Sequence, residues 1–217
     1  MSSKPWPIQF DPPVLLDMLK KGLALCNSTK PLATLSTAPL KTPVKTIYDE
    51  KGKLLGAGLI QAIEIGDLDT IRLYIRSKFD LNSRIGVVPG REYSGTSPVF
   101  AAIEHNQSEA LALLLSSGAR GDAKKKYDLT PLMIAAKYGK TDCVKVLISK
   151  KVHLDARWGR GSDTALHMAS YAGHLDIVKM LITAGANPKL KNLDGDDAYG
   201  AAKAFGNVSI ANYLSNR

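Results

Sequence analysis

The chain is poor in the residues that usually carry chemistry. Only two cysteines, Cys26 and Cys143, stand in its 217 residues, far apart, so a disulfide framework is not expected and a reducing compartment is. Its four histidines, His105, His153, His167 and His174, lack metal-ligand spacing, and there is no Cys-x-x-Cys. The glycines at 52, 56 and 58 are not followed by the Lys-Ser/Thr ending of a phosphate-binding loop, nor preceded by a strand. No apolar run approaches the roughly 18 residues of a membrane-spanning helix. A signal peptide is not expected, because Pro5, Trp6, Pro7 and Asp11 interrupt any apolar core. A mitochondrial transit peptide is not expected either, with no arginine before Arg72 and with Asp11 and Asp17 present. No catalytic residue, cofactor or metal is therefore expected, nor a membrane contact.

Charge is not scarce. The formal net charge is +9 and the pI about 9.5, which favours acidic partners without naming one. Apolar residues make up 45%, enough for a real core.

Proline is concentrated at one end. Seven of the eleven fall at positions 5, 7, 12, 13, 31, 39 and 43, a density that prevents regular helix. One stretch escapes. Residues 13–25 place Val14, Leu15, Met18, Leu19 and Leu23 at helical spacing behind Pro13, a residue suited to a first turn. Residues 1–52 thus read as an extended arm and linker with one short amphipathic helix. Its five apolar residues are expected to dock on this domain or on a partner.

From about residue 53 the chain repeats itself. Thr130-Pro131-Leu132-Met133-Ile134-Ala135 returns as Thr164-Ala165-Leu166-His167-Met168-Ala169, an offset of 34. The place of Leu132 recurs as Leu59, Val99, Leu166 and Tyr199, at spacings of 40, 33, 34 and 33. The longer first spacing marks an insertion between Ser83 and Ser94. Each unit carries two apolar stretches at helical spacing, separated by glycine. Thr130 and Thr164 are placed to cap a first helix. Alanine pairs such as Ala135 and Ala136 keep that helix thin. Gly139, Gly173 and Gly206 close it, and Gly118 and Gly185 close the second helix. One helix pair cannot bury its own apolar face, whereas five stacked pairs share a continuous core. The expected fold is all-α: five helix-turn-helix repeats at about 53–85, 92–124, 125–157, 159–191 and 192–217, behind the arm.

These motifs resemble the ankyrin repeat family, whose marker is T-P-L-H-x-A. Met133 stands in the histidine place of one copy and Ala165 in the proline place of the other. The resemblance covers about residues 53–217, and the first and fifth units depart most, the fifth as a terminal cap does. It implies an ankyrin solenoid with finger turns, in which His167 ties one repeat's turn to the next. It also implies that the finger tips and exposed first-helix positions line a concave face. By frame these are Tyr93, Glu104, His105, Lys126, Tyr127, Lys137, Tyr138, Arg160, Tyr171 and Phe205. The finger with Arg157, Trp158 and Arg160 has the aromatic and arginine composition of interface hot spots.

The expectation is a non-enzymatic interaction module or scaffold, gripping a protein with an acidic surface and adding a second contact through the arm. Charge and arm together suit an accessory subunit of a larger assembly, cytoskeletal or other, inside the cell and most simply in the cytoplasm. One alternative is a nucleic-acid-associated basic protein, disfavoured because Asp and Glu are spread through the repeats. Another is a targeting adapter for a separate enzyme.

Overall fold

In a computed structural model, residues 55–85, 96–122, 129–157 and 162–215 are described. The arm with its expected helix at 13–25, and Tyr93, Lys126, Tyr127, Trp158 and Arg160, lie outside them. Ten helices are present among the described residues, in five antiparallel pairs. They are α1 (Gly56–Ile65) with α2 (Leu68–Arg76), α3 (Pro98–Glu104) with α4 (Ser108–Ser116), and α5 (Pro131–Lys137) with α6 (Thr141–Ser149). Then come α7 (Ala165–Ala172) with α8 (Leu175–Thr183), and α9 (Ala198–Ala204) with α10 (Val208–Leu214). Helices this short are not stable alone in water, so their stability comes from packing.

The packing follows columns of equivalent residues. Leu59, Val99, Leu132 and Leu166 are buried on the first helices. Facing them on the second helices, Tyr74, Leu114, Leu147, Leu181 and Leu214 are buried too. Ala102, Ala135, Ala169 and Ala202 have no exposed surface at all, which lets neighbouring first helices approach closely. One apolar cluster runs without a break from Leu59 to Leu214. Tyr199, in the last described repeat, is 37% exposed where the other members of the column are buried. The end of the stack covers its tyrosines with cations: Lys203 Nζ lies 5.5 Å from the Tyr199 ring centre, and Lys179 Nζ lies 5.9 Å from that of Tyr213.

Start signals act as their chemistry directs. Thr130 Oγ1 accepts from the Met133 N–H at 3.3 Å, and Pro131 opens α5 where its missing N–H is not needed. Asp67 caps α2 by accepting from Thr70 N at 3.2 Å and Thr70 Oγ1 at 2.8 Å. The insertion between the first two repeats is closed at its base by an antiparallel bridge, where Ile85 N donates to Thr96 O at 3.1 Å.

Candidate functional site

The last turns of the first helices form one edge of the stack, and the described partner residues expected from the sequence, Arg157 apart, fall there. Glu104 and Lys137 are exposed, His105 is half-buried, and Tyr138 and Phe205 are 61% and 64% exposed. Lys137 Nζ sits 5.6 Å from the Tyr138 ring centre. Tyr171 and Phe205 belong to adjacent repeats and their rings approach to 4.9 Å between centres. Described charges along this edge are of both signs, Glu64 and Glu104 in the first two repeats and Lys137 and Lys203 further on.

Tyr171 is only partly available to a partner. Its hydroxyl donates to Asp163 Oδ1 at 3.0 Å and accepts from Asn192 Nδ2 at 2.8 Å. Burial, reinforced by the hydrogen bond to Asp163, pushes its pKa up to about 12. Asn192 itself is buried and holds the last described finger in shape. Its Nδ2 also donates to Asp163 Oδ1 at 3.1 Å, while its Oδ1 accepts from Asp194 N and Asp196 N, both at 3.0 Å.

His167 links the fourth repeat to that finger. Thr164 N donates to His167 Nδ1 at 3.2 Å, so Nδ1 is unprotonated and the proton sits on Nε2, which donates to Asp196 O at 3.1 Å. In the third repeat Met133 takes the histidine place, and its sulfur accepts from Thr130 N at 3.4 Å. Arg157 is exposed, yet its guanidinium donates to Lys191 O of the next finger at 3.1 Å.

A second set of ties went unread in the sequence. At the start of the second helices, Gln107 Nε2 donates to Glu64 O at 3.0 Å. His174 Nε2 donates to Lys137 O at 3.3 Å, and Asn207 Nδ2 donates to Ser170 O at 2.7 Å and Tyr171 O at 3.0 Å. Each reaches the end of the preceding repeat's first helix, where carbonyls lack intrahelical donors. The edge that carries Lys137, Tyr138 and Tyr171 is thus pinned from repeat to repeat.

Cys143 is fully buried, and burial, partly opposed by Lys140, pushes its thiol up to about 11. No group of three His, Cys, Asp or Glu side chains among the described residues is placed to hold a metal ion. No helix among them is long and apolar enough to cross a membrane.

A family model described as ankyrin repeats (3 copies) matches residues 59–158 and 119–192, together more than half of the chain. The chain belongs to the ankyrin repeat family. Among curated relatives of this ankyrin-repeat chain, human Ankyrin repeat and SOCS box protein 11 is 30% identical over 115 residues, 53% of this chain and 35% of that protein. The mouse B-cell lymphoma 3 protein homolog is 33% identical over 128 residues, 58% of this chain and 28% of that protein. XBAT31 of Arabidopsis thaliana, named as a candidate E3 ubiquitin-protein ligase, is 30% identical over 127 residues, 58% of this chain and 27% of that protein. The chain spans about a third or less of the length of these relatives.

Proposed function

We propose that this protein is a non-enzymatic scaffold whose first-helix edge grips a protein with an acidic surface. The ankyrin repeats make it a protein–protein interaction module; the edge, the acidity of the partner and the assembly are the proposal. The observation that carries it is the exposure of Tyr138 and Phe205 on the edge that bears Lys137, two large aromatics left open in a chain with only 6% aromatic residues. The backbone ties through His174 and Asn207 hold that edge rigid, which lowers the ordering entropy lost on binding. We also assign to partner contact the residues expected there by frame, Tyr93, Lys126, Tyr127, Arg157, Trp158 and Arg160. The arm, with Val14, Leu15, Met18, Leu19 and Leu23, adds a tethered second contact to an intracellular, most simply cytoplasmic, assembly, a cytoskeletal lattice among the fitting ones.

The test is cross-linking mass spectrometry on native extract with the full chain, beside a Tyr138→Ala/Phe205→Ala variant and an Arg157→Ala/Trp158→Ala/Arg160→Ala variant. Cross-links from this edge that vanish in either variant are the expected result. A partner captured equally by both variants sinks the edge assignment. A second reading, a targeting adapter for a separate enzyme, is supported by relatives named for a SOCS box or for ubiquitin ligation. It is told apart by whether the captured partner set contains an enzyme held through the same edge.

A further inference from the structure

The turns that follow the second helices form another long edge of the stack. Residues 78, 118, 151 and 185 are equivalent there, and all four hold left-handed backbone, with φ of +57, +94, +55 and +100°. The second and fourth repeats use glycine, and a Cβ added to Gly118 or Gly185 would meet nothing within 4 Å. The first and third repeats place Lys78 and Lys151 in the same conformation, one that disfavours any residue with a Cβ. Lysine gives these turns no shape that glycine would not give more easily. Backbone held in such a region is a pointer to function.

The cations on this edge are also unlike those on the outer helix faces. Arg72 and Lys145 pair with Asp69 and Asp142 at 2.8 and 2.9 Å. By contrast, no hydrogen bond or ion pair reaches the side chains of Arg76, Lys78 or Lys151 among the described residues. The surface beneath them is continuous. Asn82 Oδ1 accepts from Arg120 N at 2.8 Å, joining the first repeat to the second, and Lys150 Nζ donates to Ser116 Oγ at 2.7 Å, joining the second to the third. Beside Lys78 lies a cleft of about 320 Å³ with Ile75, Phe79 and Leu81 among its lining residues. Asp80 borders it too, but its carboxylate accepts from its own finger's Asn82 N–H at 2.9 Å.

We propose that this edge is a second docking surface, taking an acidic peptide segment of a partner protein. One apolar side chain of the segment enters the cleft, and carboxylates beside it meet Arg76, Lys78 and Lys151. Packed helices lie about 8–10 Å apart, so Lys78 and Lys151, two repeats apart, are separated by a distance that about six extended residues cover. The surface is distinct from the first-helix edge and does not depend on it.

The test uses the full chain and a fluorescein-labelled twelve-residue peptide of Glu and Asp around one central Leu, with fluorescence anisotropy at low salt. Lys78→Glu/Lys151→Glu weakens binding about tenfold or more. Lys78→Gly/Lys151→Gly weakens it about threefold or more while raising the melting temperature, because glycine relieves the left-handed turns. Lys179→Glu, the same charge change on the outer helix face of the fourth repeat, leaves it unchanged. A Lys78→Gly/Lys151→Gly protein that binds like the parent overturns the proposal. So does equal binding of a peptide with Ser in place of Leu, or loss of binding through Lys179→Glu. Tighter binding of duplex DNA than of the peptide, lost in the same Lys78→Glu/Lys151→Glu variant, overturns it in favour of a nucleic-acid surface.

Discussion

The His174 ring lies over Gly139: a Cβ built on that glycine would stand 2.7 Å from the imidazole Cε1. The glycine also holds φ +66°, so two separate demands exclude a side chain there. Gly173, under Asn207 of the following repeat, meets the same pair of demands. Gly139→Ala is expected to destabilise the fold by about 1–3 kcal/mol, from left-handed strain plus the clash. In a His174→Ala background the clash is gone and only the strain is left, so the penalty shrinks. A double-mutant cycle by urea denaturation measures the difference, and equal penalties in the two backgrounds would falsify the clash.

Asn192 is the most heavily bonded side chain in the last described finger. Asn192→Ala leaves Asp163, the Tyr171 hydroxyl and two backbone N–H groups short of partners, and is expected to cost about 2–4 kcal/mol. Hydrogen exchange checks the locality: protection should fall at Asp194 and Asp196 and persist in α5 and α6.

Tyr171 gives the fold a sensitivity to alkali. An unfolded tyrosine ionises near 10, whereas folded Tyr171 holds its proton to about 12. Between those values the unfolded chain has released the proton and the folded chain has kept it, so stability is full below pH 10 and declines as pH climbs toward 12. Tyr171→Phe should flatten that decline relative to the parent. Urea midpoints at pH 9, 10 and 11, chosen as about one unit apart across the window, test it; parallel slopes in the two proteins would count against the assignment.

Cys143 should be silent toward thiol reagents in the native state. Its thiol is buried and held up at about 11, so at pH 8 its thiolate is scarce as well as covered. In a Cys26→Ser protein, where it is the sole thiol, reaction with a chromogenic disulfide is expected only at the rate of opening. Rapid labelling that does not respond to mild denaturant would contradict this.

The repeat frame was legible because the stack forces the same letters into the same places. A leucine must fill the space between paired helices, an alanine must admit the neighbouring helix, and a left-handed turn favours glycine. That is why five helix pairs could be read from Leu59, Val99, Leu132, Leu166 and Tyr199. The ties between repeats were not legible, because Gln107, His174 and Asn207 share only an N–H donor at the end of a side chain, and no letter recurs. The same holds for Lys78 and Lys151, which stand where the pattern favours glycine. On the candidate edge, Tyr138 and Phe205 are exposed where the frame placed them. Tyr171 is drawn inward by Asp163 and Asn192, the latter 21 residues away, a pairing no local pattern announces.

The bridge between Ile85 and Thr96 brings the two ends of the longer first spacing together. The two flanking repeats meet through that bridge and through Asn82, and the entropy of closing the chain between 85 and 96 rises only slowly with its length. Ile85 and Thr96 thus act as a clasp that holds the first two repeats in register.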